Sequence, residues 1–151
     1  PTRRSSDLVL VNELIRPDLF HVKKQMASSK EVIDFLCDEL ISKNLADERY
    51  KEDVFKRESV SATSFVNGFA VPHSIEITSK ESCISIMILD KPVKWGDFEV
   101  KLVLLLAIRD TDSHLLKIFF DWLSSIVSDS NKFRQLLEVK NYQEFIQHVI
   151  E

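Results

Sequence analysis

CISIMILDKPVKWGDFEVKLVLLLAI, residues 83–108, contains two nearly continuous apolar runs, CISIMIL and LVLLLAI, joined by a polar connection. Strands that are apolar on both faces are covered on both faces, whereas half-exposed strands alternate apolar and polar residues. The stretch therefore predicts two buried strands with helices on both sides of their sheet, which is a three-layer α/β/α sandwich. The segment DKPVKWGD between them predicts a turn-rich connection, in which Trp95 is a packing residue.

The sequence before this stretch predicts two short strands and two helices. LFHV at residues 19–22 and FAV at residues 69–71 have the composition of strands. Ser28 followed by Glu31 forms a capping box, which starts a helix with apolar residues at helical spacing. ADERYKEDVFKRE predicts a second helix with one apolar side and one charged side.

The sequence after this stretch is helical. Asp112 or Ser113 caps SHLLKIFFDWLSSIV, whose wide apolar face predicts a deeply buried helix. Two shorter amphipathic helices follow, near NKFRQLLE and NYQEFIQHVI. The predicted order is β-α-α-β-β-β-α-α-α around a small mixed sheet, so the fold class is α/β.

Composition narrows the function classes. The chain has 151 residues, enough for one domain, and a net charge of −4 without a long basic block, which argues against direct contact with nucleic acid. No apolar stretch approaches the ~20 residues that span a bilayer, and no signal peptide is recognisable, so we expect a cytoplasmic protein without membrane insertion. Cys37 and Cys83 lie inside apolar segments without CxxC spacing, which predicts buried free thiols.

Two further features of the chain bear on cofactors and on domain organisation. The only glycines are Gly68 and Gly96, which excludes a Walker loop and a GxGxxG dinucleotide turn. We expect neither a cofactor nor a bound metal.

The chain begins at Pro1 with a polar, charged stretch. We therefore expect residues 1–16 to be a tail or linker remnant of a longer protein.

His73 is the main candidate for a functional side chain. It follows an apolar run and Pro72, which has no N–H with which to continue strand pairing. The backbone is therefore expected to leave the sheet there, so that the imidazole can reach the surface.

His114 and Arg57 are the candidate partners of His73. His114 lies in the first turn of the long helix, where free N–H groups and the helix dipole favour an anion and disfavour imidazolium. Arg57 ends the second helix, sixteen residues before His73. A phosphoryl site could be formed by two imidazoles, one arginine and a helix N-terminus. Such a set provides a nucleophile, a hydrogen-bonding partner and a positive charge that offsets the charge of the phosphoryl group.

Other interpretations of the histidines are weaker. His21 and His148 are expected to be packing or surface residues. A zinc site could combine His73 and His114 with Asp110 or Asp112, but no ligand pair has the close spacing typical of zinc sites. A Ser-His-Asp hydrolase would need a nucleophile elbow, and the sequence has no GxSxG. Both alternatives remain open at this point.

KRESVSATSFVNGFAVPHSI, residues 56–75, resembles the active-site segment of the mannitol/fructose class of enzyme IIA domains of the bacterial phosphoenolpyruvate:sugar phosphotransferase system. The family pattern is Arg-Glu, then Thr, then Gly-x-Ala-[Ile/Val]-Pro-His, and it matches Arg57, Glu58, Thr63, Gly68, Ala70, Val71, Pro72 and His73. His114 matches the family's second histidine. The resemblance covers roughly residues 17–151, which we expect to form an enzyme IIA-like phosphocarrier domain with that family's three-layer fold.

The resemblance implies roles for these residues and partners for the domain. His73 would accept a phosphoryl group through Nε2 from the phosphohistidine of HPr and pass it to a cysteine or histidine of a IIB partner. His114 would hydrogen-bond the phosphoryl oxygens and Arg57 would offset their charge. Ser74 stands where the family often has glycine. Its hydroxyl could help to bind phosphate or could only cap a turn, and we favour the turn.

The pattern of His73, His114 and Arg57 is compatible with three biological roles. LDKPVKW followed by VKLVLLLAI resembles the branch found in transcriptional antiterminators and activators, which favours a regulatory module acting with other domains of the same polypeptide. The alternatives are a transport component of a fructose- or mannitol-type permease and a degenerate protein-interaction domain. Retention of His73, His114 and Arg57 together argues against the degenerate domain.

Overall fold

The computed structural model describes the backbone of residues 3–150 and the side chains of residues 8–150. These residues form twelve elements, and one of them is a short 3-10 helix at Asp110–Asp112. The helices and strands are α1 Arg3–Glu13, β1 Ile15–Lys24, α2 Ser29–Ser42, α3 Glu48–Val60, β2 Ser64–Phe65, β3 Phe69–Ala70, β4 Cys83–Trp95, β5 Phe98–Ala107, α4 His114–Val127, α5 Ser130–Leu137 and α6 Tyr142–Ile150.

The five strands form one mixed sheet in the order β1-β4-β5-β3-β2. Strand β4 pairs antiparallel with β5 and parallel with β1, while β3 pairs parallel with β5 and antiparallel with β2. The two apolar strands are therefore central, as their composition predicts. The short strand β3 lies beside β5, and this places the chain that leaves β3 next to the end of β5.

Helices cover both faces of the sheet, which confirms the predicted three-layer fold. On one face the alternate residues Ile84 and Ile86 of β4 pack in a core with Leu115 of α4 and Phe145 of α6. On the other face Met87 belongs to a second core, formed with residues of α2 and α3. Because both faces of β4 and β5 are buried, their apolar residues run without alternation.

The connection between the two central strands differs from the prediction. Strand β4 continues to Trp95 and β5 begins at Phe98, so most of DKPVKWGD is strand and only Gly96 and Asp97 turn the chain. Gly96 has φ of +64°, and a Cβ there would lie 2.6 Å from the Cβ of Ala62. The turn therefore requires glycine for both conformation and space.

The N-terminal part of the chain also differs from the expected tail. Arg3–Glu13 forms a helix, and Leu10 and Leu14 are fully buried in the core that contains α4 and α6. The apolar run in this part of the sequence was too short to predict a helix by itself. The helix is stabilised by partners that lie more than 100 residues further along the chain. Whether residues 1–16 are also a linker remnant stays a prediction.

Strand β1 is longer than the predicted LFHV and contains Pro17. It is an edge strand that pairs only with β4, and its register is irregular between Ile15 and Phe20. An edge strand tolerates a residue without an N–H, since one side of the strand has no partner.

The structure also contains the two-residue strand β2, which the predicted order of elements lacks.

The predicted capping box at the start of α2 is present in the structure. The Ser28 hydroxyl accepts a hydrogen bond from the Glu31 N–H at 3.2 Å, and the Glu31 carboxylate accepts one from the Ala27 N–H at 2.7 Å. Asp47 caps α3 by accepting from the Tyr50 N–H at 3.1 Å. Within residues 3–150, no helix is long and apolar enough to cross a membrane.

Candidate functional site

His73 lies where the chain leaves β3 and passes alongside the end of β5. The Leu106 N–H donates to the Pro72 carbonyl at 3.0 Å, and His73 forms an isolated parallel bridge with Leu106. Pro72 supplies only an acceptor at this point, so its missing N–H leaves no gap in the pairing. The sheet therefore holds the backbone of His73 three residues beyond Ala70, the last residue of β3.

The imidazole of His73 is half-buried and has a defined orientation. Its Nδ1 atom lies 2.9 Å from the carbonyl oxygen of Val71. A carbonyl oxygen can only accept a hydrogen bond, so Nδ1 carries the hydrogen. In the neutral ring the lone pair is then on Nε2, which makes Nε2 the nucleophilic atom.

The loop after His73 is attached to α3 by one carboxylate. Oδ2 of Asp53 accepts N–H bonds from Ile75, Glu76 and Ile77 at 2.8, 2.8 and 3.0 Å. Burial raises the pKa of Asp53, but the three backbone hydrogen bonds outweigh it and leave the pKa below its ordinary value. The hydroxyl of Ser74 donates to the Ile77 carbonyl, so it caps this turn as expected.

A buried tyrosine attaches the neighbouring strand to the same helix. The Tyr50 hydroxyl donates to the carbonyl of Leu106, the residue that pairs with His73. Tyr50 is 1% exposed, and burial raises its pKa well above the ordinary value, so the hydroxyl remains a neutral donor. Tyr50 and Asp53 are three residues apart on one face of α3, and together they fix both sides of the His73 position.

Glu58 supports the segment that precedes His73. Its carboxylate accepts from the Thr63 N–H and hydroxyl, both at 2.7 Å, and from the Trp95 Nε1–H at 2.9 Å. The Thr63 carbonyl accepts in turn from the Val71 N–H at 3.1 Å. Glu58 therefore positions Thr63, Thr63 positions Val71, and Val71 orients the ring of His73.

A cavity of about 290 Å³ opens beside His73. Its walls come from the loop after His73, the end of β5 and the start of α4, and include Ile77, Leu106, Arg109, Asp110, Ser113 and Phe120. Ser113 is the N-cap residue of α4, and its side chain makes no capping bond to that helix. The cavity therefore joins an oriented imidazole, a guanidinium and a helix start, which is a combination suited to an anion.

The guanidinium of Arg109 is paired with Asp112. Its Nε and Nη2 atoms each lie 3.0 Å from Oδ2 of Asp112, and that oxygen also accepts from the Ser82 hydroxyl at 2.6 Å. The Ser82 hydroxyl accepts in turn from the Arg109 backbone N–H at 2.9 Å. Hydrogen bonds from Ser82 and then Arg109 lower the pKa of Asp112, which stays ionised.

The structure brings only part of the predicted set into the cavity. His114 is the first residue of α4 and is exposed, directly after Ser113. Arg57 lies in the last turn of α3, and its Nη1 donates to the Ser61 carbonyl at 2.6 Å. Neither is among the residues that line the cavity of His73. Their roles beside His73 stay predictions.

The other two histidines lie apart from the cavity. Nε2 of His21 lies 2.8 Å from Oε1 of Glu39, and the ring packs edge-on against Phe35, so His21 has a packing environment. His148 is half-buried on α6. In the part of the chain that the structure describes, no group of three or more His, Cys, Asp or Glu side chains is placed to hold a metal ion.

Sequence reasoning missed three residues that shape the site: Tyr50, Asp53 and Arg109. Tyr50 and Asp53 looked like ordinary members of an amphipathic helix, and their partners are 22 to 56 residues away in the sequence. Arg109 had one usable signal, since it follows the end of a buried strand, where α/β domains assemble their sites.

The three-layer fold and the histidine beside an anion-suited cavity define a class of α/β domain, and comparisons with known proteins identify the family. The family model for the phosphoenolpyruvate-dependent sugar phosphotransferase system, EIIA 2, matches residues 13–151. The chain belongs to this family, and the family supports a role in phosphoryl transfer.

Curated relatives include both regulators and a transport component. The chain is 30% identical over 133 residues to the probable licABCH operon regulator of Bacillus subtilis, covering 88% of this chain and 21% of that protein. It is 29% identical to the transcriptional regulator ManR of the same organism, of which it covers 20%. It is 30% identical over 147 residues to the mannitol-specific phosphotransferase enzyme IIA component of Halalkalibacterium halodurans, covering 93% and 94% of the two chains. The chain therefore spans about a fifth of the two regulators.

Solved structures share the fold. The mannitol enzyme IIA of Escherichia coli, in its complex with phosphorylated enzyme IIB, superimposes with a TM-score of 0.78 at 17% identity, covering 90% of this chain and 98% of that one. The nitrogen regulatory protein IIA-Ntr of Neisseria meningitidis gives a TM-score of 0.75 at 20% identity, covering 93% and 99%. At this level of identity the likeness establishes the α/β fold.

Proposed function

We propose that this domain is a phosphohistidine carrier that accepts a phosphoryl group from HPr on Nε2 of His73 and passes it to a IIB partner in the cytoplasm. The observation that carries the proposal is the hydrogen bond from Nδ1 of His73 to the Val71 carbonyl, which leaves Nε2 with the lone pair. The cavity beside the ring has room for a phosphoryl group and is lined by polar as well as apolar residues.

The proposed transfer is a displacement at phosphorus. The Nε2 lone pair of His73 forms the new N–P bond while the N–P bond of the donor phosphohistidine breaks, and its electron pair returns to the donor imidazole. As the ring of His73 gains positive charge, the Nδ1–H bond to Val71 becomes stronger and stabilises it. Such a transfer depends on positioning and charge stabilisation, and needs neither a nucleotide nor a glycine loop.

His114 and Arg57 are proposed as the residues that contact the phosphoryl oxygens, on the strength of the family pattern. His114 follows Ser113 directly, and Ser113 lines the cavity. Arg57 would exchange its bond to the Ser61 carbonyl for the phosphoryl oxygens, or would meet them when a partner docks. Neither side chain lines the cavity of His73 in this structure.

The mouth of the cavity suits a protein partner. Ile75 is 66% exposed and Phe120 is 44% exposed, and both line the cavity of His73. Apolar side chains exposed around a polar centre are characteristic of surfaces that bind another protein. This supports HPr and a IIB protein, and not a free small molecule, as the donor and acceptor.

We favour a regulatory module over a transport component. Two of the relatives are regulators several times longer than this chain, so the domain would act there with further domains of the same polypeptide. The similarity to a mannitol enzyme IIA component, which the chain covers almost completely, supports the alternative. Helix-turn-helix and regulatory domains in the same reading frame would decide for the regulator.

The carrier proposal is tested by incubating the domain with phosphoenolpyruvate, enzyme I and HPr and measuring its intact mass. We expect one acid-labile, base-stable phosphoryl group on the wild type and on His148→Ala, and none on His73→Ala. An unlabelled wild type would exclude the carrier function. Label that persists in His73→Ala and disappears in His114→Ala would reverse the nucleophile and its helper.

A further inference from the structure

The cation beside His73 in this structure is Arg109, which the family pattern does not assign. Among the described residues that line the cavity of His73, Arg109 is the only arginine or lysine. Asp110 lines the same cavity and adds a negative charge there. A phosphoryl dianion placed on His73 therefore requires a compensating cation on this side of the ring.

We infer that Arg109 binds the phosphoryl group of phosphorylated His73, after exchanging its carboxylate partner Asp112 for the phosphoryl oxygens. This inference rests on the proposed carrier function and adds a residue to its site. The guanidinium is free to move, its present partners remain satisfied without it, and the phosphoryl group is the stronger partner.

The guanidinium is held on one side only. Nε donates to Oδ2 of Asp112 and Nη2 lies 3.0 Å from the same oxygen, while Nη1 takes no part in that pair. The side chain of Arg109 is 45% exposed, and exposed pairs of residues three apart on a helical turn are weak and screened by salt. The other edge of the planar guanidinium remains available for a bidentate contact with two oxygens of a phosphoryl group.

Asp112 and the local backbone keep their hydrogen bonds when the guanidinium leaves. Asp112 still accepts from the Ser82 hydroxyl, and the Ser82 oxygen still accepts from the Arg109 backbone N–H. Ser82 therefore holds the 3-10 turn that precedes α4, and the side chain of Arg109 can change partner without loosening that turn.

The phosphoryl group is the stronger partner for this side chain. It carries close to two negative charges and three acceptor oxygens, whereas Asp112 carries one charge and already accepts from Ser82. Arginine matches the oxygens of a phosphoryl group with two parallel donors, and this geometry is stronger than a single charge-assisted bond.

Four variants and the wild type separate phosphoryl binding from a structural role. Arg109→Gln removes the cation, and Arg109→Lys keeps the positive charge but not the planar guanidinium. Asp112→Asn keeps an acceptor for the Ser82 hydroxyl and removes the anion that competes with the phosphoryl group. Arg16→Gln is the matched control, because Arg16 also makes an exposed two-nitrogen pair with a nearby carboxylate, Asp18, and does not line the cavity.

The readouts are the rate of phosphorylation by phospho-HPr and the phosphorus-31 NMR titration of the phosphohistidine. Arg109→Gln should slow transfer by about ten- to a hundredfold and raise the pKa of the phosphoryl group, and Arg109→Lys should recover part of both. Asp112→Asn should be faster than the wild type, and Arg16→Gln should equal it.

Two outcomes would overturn the inference while the carrier function stands. Equal slowing in Arg109→Gln and Asp112→Asn would mean that the pair only supports the turn, and identical rates and titrations for Arg109→Gln and Arg16→Gln would remove Arg109 from the site. An unlabelled wild type would instead overturn the carrier function and this inference together.

Discussion

The Nδ1 atom of His73 lies 2.9 Å from the main-chain oxygen of Val71, two residues earlier in the chain. This short-range contact decides which ring nitrogen can act as a nucleophile, because a carbonyl oxygen accepts only from N–H. The contact is itself supported from a distance, since Val71 is held by Thr63 and Thr63 by Glu58.

The first prediction concerns the tautomer of His73. In the neutral unphosphorylated domain, the ring should carry its hydrogen on Nδ1, and nitrogen-15 NMR of the imidazole should show a protonated Nδ1 and an unprotonated Nε2. His148, which is half-buried on α6, provides an internal comparison in the same spectrum. An Nε2–H tautomer of His73 would contradict the proposed nucleophile.

The second prediction concerns the attachment of the loop after His73. Asp53→Ala leaves three backbone N–H groups without their acceptor and should lower the free energy of unfolding by roughly 1–3 kcal/mol. Asp121→Ala removes an exposed helical aspartate and should change stability by no more than about 0.5 kcal/mol. Urea unfolding measures both variants. A similar cost for both would mean that Asp53 does not hold the loop.

The third prediction follows from the lowered pKa of Asp53. A carboxylate whose pKa is lower in the folded state stabilises the fold fully above its unfolded value, about 3.9, and loses that contribution as pH falls through the folded value. The stability difference between the wild type and Asp53→Ala should therefore be largest near neutral pH and shrink below about pH 4. A difference that grows in acid would contradict the assignment.

The fourth prediction concerns the two residues taken from the family pattern. Arg57→Ala and His114→Ala should keep the fold and slow phosphoryl transfer by about ten- to a hundredfold, as expected when one charge-assisted contact in the transition state is lost. Arg134→Ala on α5 and His148→Ala on α6 are controls of the same residue types. Rapid-quench rates equal to those of the controls would remove Arg57 and His114 from the site.

The fifth prediction concerns the extent of change on phosphorylation. The new charge lies beside the start of α4, where free N–H groups and nearby arginines can stabilise it, so little backbone movement is expected. Backbone amide shifts should cluster at residues 57–76 and 109–116. Large shifts throughout α5 and α6 would indicate an internal conformational switch instead of a local change of surface charge.

The sequence alone was sufficient for the elements whose signals are local. The apolar runs at residues 83–89 and 102–108 predicted central strands, and the capping box at Ser28 and Glu31 predicted the start of α2. Pro72 was a weaker signal: the backbone was expected to leave the sheet there, whereas pairing with β5 continues through the Pro72 carbonyl to a bridge at His73. Each of these signals depends on steric, hydrogen-bonding or burial preferences that act over a few neighbouring residues.

Only the tertiary structure decided which distant residues meet. Helix α1 could not be recognised from a short apolar run, since burial of Leu10 depends on α4 and α6. Asp53 on α3 accepts hydrogen bonds from the loop after His73. Arg109 shares a cavity with His73 because β3 lies parallel to β5, which brings the ends of these two strands together. Hydrogen bonds and cavities of this kind join residues far apart in the chain, and their partners exist only after the sheet has set the strand order and register.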